Sequence, residues 1–270
     1  MKCTEWPPRR RPRPLHVALP GSVLSTEHSL QAKTLKAGYI ARALAIHRVD
    51  HAWLFRDPDT GREDLRLLSL LLRYAVTPPH LKKRLFPISG ALRYVGLMPP
   101  LNLANHEAPT SPEPGALIDG FVEECRGGYC RVFLGSLGHG VMQGKYRPGR
   151  VVTVRILGVR GGSVEVEEAS WDPIYTGFGV SIKSRLDSLI REARGRGLRI
   201  VATSRLGECV GSIVNDGLLI VFGGPRLGLL EYVDSRMFDV VANTLHMQGA
   251  RTVRTEEALH ATLTRVVDPL

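Results

Sequence analysis

The sequence predicts an α/β domain on a parallel, helix-covered sheet, interrupted by a small antiparallel β-barrel. Strand-like and helix-like runs alternate as β-α-β-α over residues 15–85, the pattern of a sheet whose crossovers are helices. From Leu92 to Ser170 no long helical period survives, and short alternating runs between glycine-rich turns replace it. Helix–strand alternation then returns, which makes the β-rich stretch an insertion. The expected organisation is a basic flexible arm (1–14), the first part of the α/β domain (15–90), the barrel (91–170) and the second part of the α/β domain (171–270).

The arm is rich in Pro and Arg and has no period. "LHVALPGSVL" reads as a short apolar strand ending in a Pro-Gly turn. The next run repeats apolar residues at Leu30, Leu35, Ala37, Ile40, Ala41 and Leu44, a helical stripe. "HAWLF" is the second strand, "DPDTG" a loop, and "EDLRLLSLLLRYAV" a helix with the acidic start that the helix dipole favours. "TPPHLKKRLFP" breaks and restarts that helix. "ALIDGFVEE", "YCRVFLG", "GHGVMQ", "RVVTVRILGV" and "SVEVEEA" are the five barrel strands. "VSIKSRLDSLIREARGRG" reads as one amphipathic helix, followed by the strands "LRIVATS", "GLLIVFGGP" and "FDVVANT".

A net charge of +10, with arginine far outnumbering lysine, suits a polyanionic partner such as RNA, because bound cations release the counterions condensed on phosphates. No run approaches the roughly 20 apolar residues of a membrane span, and the basic N-terminus lacks a signal peptide's apolar core. The expectation is a cytoplasmic protein without membrane contact. Cys3 and Cys209 are isolated and the histidines show no ligand spacing, so no metal site is expected. In "CRGGYC", a two-residue Gly127-Gly128 turn would set Cys125 opposite Cys130, within reach of a disulfide. In an ordinary cytosol the reduced pair is expected.

The last three strands each meet a loop of small and polar residues: "TSRLG", "GGPRLG" and "TLHMQGARTVRT". In open α/β sheets ligands sit just beyond the carboxyl ends of the strands. Neither a Walker phosphate loop nor a G-x-G-x-x-G turn is present, so nucleotide and dinucleotide cradles are unsupported. In the last loop, Gln248, Gly249, Arg251, Thr252 and Arg254 are too polar for a simple connection. Thr255 is placed to cap a final helix that starts with Glu256 and Glu257. His246 reads as a prop for this loop.

These residues carry a resemblance. "FGGPRLGL" followed by "FDVVANTLHMQGARTVRTEEAL" resembles the carboxyl-terminal half of SPOUT-superfamily RNA methyltransferases. With "HVALPGSVL", "LKAGYIARALAIHRVDHAWLF", "LLLRYAVTPPHLKKRLFP" and "LRYVGLMPPL", the chain is similar to the archaeal and eukaryotic branch with an OB-like insertion, linked to uridine N3 methylation of ribosomal RNA. The likeness covers nearly everything after the arm. It implies a deep trefoil knot at the carboxyl end, a homodimer, and S-adenosylmethionine bent into a pocket of knotted loops. Thr203, Gly223, Gly224, Gln248, Gly249 and Thr252 would line or shape that pocket, with Leu245, Val253 and Thr255 nearby.

Arg205, Arg226 and Arg254, one on each loop, are the candidates for substrate contact. Arginine does not act as a base, but it can stabilise charge developing on base carbonyls. The OB-like insertion would bind RNA chiefly through backbone and shape, since Phe121, Tyr129, Phe133 and Tyr146 are its few aromatics. The alternative is a non-catalytic RNA-binding or ribosome-assembly module that keeps the knotted fold without turnover.

Overall fold

The protein is described here by a computed structural model covering residues 5–269; Cys3 lies outside the described residues. The elements in chain order are β1 (Leu15–Pro20), α1 (Leu30–Ile46), β2 (His51–Phe55), α2 (Arg62–Val76) and the short α3 (Lys82–Leu85). Next come β3 (Leu117–Arg126), β4 (Tyr129–Phe133), β5 (His139–Gln143), β6 (Val151–Arg160) and β7 (Ser163–Glu168). The chain continues with β8 (Gly179–Lys183), α4 (Leu186–Gly195), β9 (Arg199–Cys209), β10 (Ile213–Val214) and β11 (Leu218–Val221). It closes with β12 (Val240–Asn243), α5 (Thr255–Leu263) and β13 (Val266–Val267). Two compact units result. One joins Arg11–Val76, Ser89–Leu101 and Gly177–Leu270; the other joins the residues up to Arg10 with Thr77–Ile88 and Asn102–Thr176.

The first unit holds a six-stranded sheet in the order β12-β9-β11-β1-β2-β8, every neighbour parallel. Its central strands β1 and β11 are buried at every residue because both faces are covered, and apart from His16 they are built of apolar side chains. On one face α4 sets Leu189, Ile190 and Ala193 against Ala18, Trp53, Ile200 and Val221. Helix α1 starts where the Ser29 hydroxyl accepts a bond from the Ala32 amide at 3.1 Å, and it packs on α2 and α5. The expected stripe is buried at Ala37, Ile40, Ala41 and Leu44, whereas Leu35 lies on the exposed side.

Two expectations are corrected. "VSIKSRLDSLIREARGRG" is not helical from its start: Gly179–Lys183 is strand β8, and the helix begins at Leu186. The alternating β-branched Val180 and Ile182 complete the otherwise open edge of β2, from which β8 hangs in register. Strand β9 does not end at Ser204 but runs on to Cys209. Val241 of β12 pairs with Ala202 and the next residue, Ala242, with Glu208, so residues 203–207 bulge out of the ladder.

In the second unit β3-β4-β5-β7-β6 form a closed five-stranded barrel. It is not purely antiparallel, as expected, because β7 enters between β5 and β6 and runs parallel to β5. Ile118, Val122, Val132, Met142, Val154 and Ile156 are among the side chains filling its interior. Gly127 and Gly128 adopt φ of 58° and 83°, the left-handed pair that a two-residue hairpin turn demands. Cys125 then lies opposite Cys130, with Cα atoms 4.0 Å apart. The two are joined by a disulfide rather than reduced.

Part of the segment expected to be a flexible arm is hydrogen-bonded. Arg9 bridges to Ile174 and the Arg10 amide donates to Pro173 O at 2.8 Å. Arg11, in the other unit, donates to His47 O at 3.0 Å and pairs with Asp268 at 2.7 Å. Among the described residues no helix is long and apolar enough to cross a membrane.

Candidate active site at the carboxyl ends of the sheet

Because β12, β9 and β11 are parallel neighbours, the segments leaving them emerge at one end of the sheet, with β9 in the middle. All the site residues expected from the sequence belong to these segments. Thr203, at the start of the β9 bulge, donates its hydroxyl to Val221 O at 3.2 Å and ties the bulge to β11. On the other flank, Asn243 at the end of β12 donates to Arg205 O at 3.2 Å. The same Asn243 side chain accepts the Leu245 amide at 3.0 Å, and His246 Nε2 donates to Asn243 O at 3.1 Å, the propping role expected of it.

The closing loop then folds on itself. Met247 holds a left-handed φ of 51° with its side chain exposed, and the Gln248 side chain donates from Nε2 to Ala250 O at 2.9 Å. A Cβ added at Gly249 would meet open space. Thr252 and Arg254 are exposed, Val253 is half-buried and Thr255 is buried. Thr255 is not the cap of α5 but its first residue. Arg254 holds the cap position, and its amide donates to the Glu257 carboxylate at 2.9 Å. Glu256 instead faces the buried Lys36 ammonium at 3.3 Å. Both acids thus serve the helix start and its packing.

The glycine turn after β11 is crowded by the protein itself. A Cβ at Gly224 would lie 2.8 Å from Ser22 Oγ and 2.9 Å from Asp57 Oδ2; one at Gly223 would lie 3.2 Å from the Leu229 amide. Behind Gly224 is a polar cluster that the sequence did not reveal. Asp57, 3% exposed, accepts the Ser22 hydroxyl at 2.6 Å, the Ser22 amide at 3.3 Å and the Thr60 hydroxyl. Burial pushes its carboxyl above the ordinary range, against the pull of the Ser22 bonds. Burial, then the charges of Asp57 and Asp59, likewise raise the nearby Tyr232 phenol. Ser22, Asp57 and Gly224 come from the ends of three adjacent strands, and only the turn chemistry of "PGS" and "DPDTG" hinted that such ends meet.

Arg205, Arg226 and Arg254 are exposed at this end of the sheet, Arg226 on the β11 side and Arg205 and Arg254 on the β12 side. The arrangement offers fixed hydroxyls, a backbone stretch open at Gly249, and guanidinium groups around it. No group of three or more His, Cys, Asp or Glu side chains among the described residues could hold a metal ion.

A family model described as "Putative RNA methyltransferase" matches residues 14–266, nearly the whole chain. The chain belongs to this family of RNA methyltransferases. An uncharacterized protein of Haloarcula marismortui is 32% identical, over 92% of this chain and 96% of its own length. A 28S rRNA (uridine-N(3))-methyltransferase of Homo sapiens is 31% identical over 93% of this chain and 77% of its own length. The protein of the same name from Drosophila melanogaster is 29% identical over 96% of this chain and 63% of its own length. As an RNA methyltransferase the chain is an enzyme of the transferase class.

Proposed function

We propose that this RNA methyltransferase takes its methyl group from S-adenosylmethionine and places it on N3 of a uridine in ribosomal RNA. The observation that carries the reading is the meeting of three polar, glycine-bearing segments at the ends of adjacent parallel strands, where ligands of open α/β sheets sit. Uridine N3 of rRNA rests on the names of the human and Drosophila relatives.

S-adenosylmethionine, when bound, supplies an activated methyl as a sulfonium; the chain must hold it and orient the acceptor. Thr203, Gly223, Gly224, Leu245, Gln248, Gly249, Thr252, Val253 and Thr255 are the residues proposed to form its pocket. The open space at Gly249 fits a ligand approaching the backbone; Gly223 and Gly224 let the β11 turn pack on Leu229 and on Ser22–Asp57. Arg254, aimed outward from the start of α5, would stabilise negative charge on the uracil carbonyls as the N3 proton leaves, with Arg205 and Arg226 on substrate phosphates.

Three finer features belong to the same reading. The barrel is OB-like, supported by its closure in the order β3-β4-β5-β7-β6 with β5 and β7 parallel. The closing segment is knotted, as the resemblance to SPOUT-superfamily methyltransferases implies. The enzyme is a homodimer, supported by the exposed row Leu35, Tyr39 and Ile46 along α1.

Calorimetric titration with S-adenosylhomocysteine tests the reading. The wild type should bind, and Gly249→Val, whose Cβ would have no protein atom within 4 Å, should fold yet lose affinity. Arg254→Ala should keep that affinity and lose on the order of a hundredfold in methyl transfer to rRNA. A folded wild type that binds no S-adenosylhomocysteine would overturn the proposal in favour of a non-catalytic assembly module.

A further inference from the structure

Helix α1 turns an unexpected side chain inward. The apolar period of the sequence puts Leu35 in the buried stripe, yet Leu35 is 36% exposed and its neighbour Lys36 is 6% exposed. Lysine is almost never fully buried unless paired, because burial strips water from its ammonium. Here the ammonium has three partners: the Thr26 hydroxyl at 2.8 Å, the Glu27 carboxylate at 3.4 Å and the Glu256 carboxylate at 3.3 Å. Glu256 Oε2 is itself buried and has no hydrogen-bond partner among the described residues, so the charge of the ammonium is what holds it. Stability alone does not call for such a cluster, since apolar side chains of similar volume often replace buried ion pairs without loss.

What the cluster joins is more telling. Thr26 and Glu27 lie in the connection from β1 to α1, beyond the carboxyl end of β1. Glu256 lies in the first turn of α5, two residues after Arg254, whose amide is tied to Glu257 at 2.9 Å. The body of α5 is held separately, by the buried Thr244 and Thr262 hydroxyls at 2.8 Å and by the buried Leu259 and Leu263. Lys36 is the side chain that links its start to the segment after β1.

We infer that Lys36 is a positioning residue for methyl transfer: it clamps the first turn of α5 to the β1–α1 connection and so fixes where Arg254 presents its guanidinium to the RNA base. The inference rests on the role proposed for Arg254 and adds what sets its geometry. A guanidinium stabilises developing charge only where it is already aimed, so a small shift of this turn is felt in turnover.

A double-mutant cycle on methyl transfer from saturating S-adenosylmethionine to protein-free ribosomal RNA tests it. Lys36→Met should lower kcat about tenfold in the otherwise wild-type chain, but by less than about twofold where Arg254 is already replaced by Ala, because both changes remove one interaction. Losses that multiply would overturn the inference. A Lys36→Met, Glu256→Gln variant, which takes away the Glu256 charge as well, should regain stability without regaining turnover. Turnover that returned with stability would make the cluster merely structural. Hydrogen exchange reads the clamp apart from turnover: in Lys36→Met, amides of residues 26–29 and 254–258 should exchange about tenfold faster, while those of β1 and β11 keep their protection. Wild-type protection of both segments would also overturn the inference. Titration with S-adenosylhomocysteine keeps the two proposals apart. A wild type that binds none sinks the methyl-donor reading, and hydrogen exchange then decides the clamp.

Discussion

The parallel sheet and the barrel both fill their interiors, and for that reason they offer chemistry in different places. In the sheet, β1 and β11 are buried on both faces, so only strand ends remain for a ligand. In the barrel, apolar side chains occupy the lumen, so only the outer wall remains. Strand ends are loops, shaped by glycines and by polar contacts between residues far apart in sequence. An outer wall is a strand surface, shaped by the simple alternation of side chains.

The sharpest way to break this contrast is to crowd a strand end. Gly224→Val should cost about 3 kcal/mol, because its side chain must displace the buried Ser22–Asp57 pair, and should abolish S-adenosylhomocysteine binding. Urea unfolding and calorimetry check the two effects. Similar crowding at the exposed turn residue Gly128 should leave that binding intact, since no protein atom lies within 4 Å of a Cβ there.

Acid should separate the two regions next. His16 and His51 lie side by side on β1 and β2, ring centres 5.6 Å apart, with Trp53 donating to His16 at 3.1 Å and His51 bonded to Ser181 at 3.0 Å. Burial, then the Arg196 charge, lowers His16 to about 4; burial, His16 and Arg196 lower His51 to about 4. Glu192 opposes this at His51, and Arg73 adds to it. An unfolded chain takes up these protons near 6.5, so stability is whole above that pH and falls as pH drops toward 4. The slope is at most about 1.4 kcal/mol per pH unit for each histidine. Thermal unfolding at several pH values should show it, and a His16→Gln, His51→Asn variant should reduce it without abolishing it, because burial, then His260 and Arg11, also lower His47 to about 4.

How much of this was legible follows the same division. The barrel strands and the Cys125–Cys130 register could be read because alternation and a Gly-Gly turn are local signals. So could the apolar β1, β2 and β11. The edge strand β8 was lost inside a helical reading because Val180–Lys183 is too short to show its period before the helix begins. The length of β9 was lost because "TSRLG" has loop composition and bulges out of the ladder, pairing with β12 resuming only at Glu208. Loop composition drew attention to the ends of β9, β11 and β12, which the fold brings together as parallel neighbours. It could not show Asp57 beneath Gly224, because that cluster joins positions 22, 57, 60 and 224, and no local pattern encodes such a meeting.

The disulfide is the barrel's own counterpart to the polar cluster. Closing a short hairpin loop limits the unfolded chain by about 2 kcal/mol. A Cys125→Ala, Cys130→Ala variant should lose that much stability, read by urea unfolding followed through the barrel. Binding of S-adenosylhomocysteine should not change. A matching loss of that binding would show that the hairpin supports more than the wall it belongs to.

The smallest effect should come from the paired wall. Arg155 and Glu167 stand 3.0 Å apart but about half exposed, so water already solvates both and the pair adds little. Arg155→Ala should therefore change stability by less than about 0.5 kcal/mol. Lys36 shows what burial changes: 5% exposed, it is the only cation that Glu27 and Glu256 share among the described ion pairs. Replacing it leaves buried acid behind and should cost several times more than Arg155→Ala. If the two variants were equally mild, exposure would not be what separates the barrel's surface pairs from the sheet's internal ones.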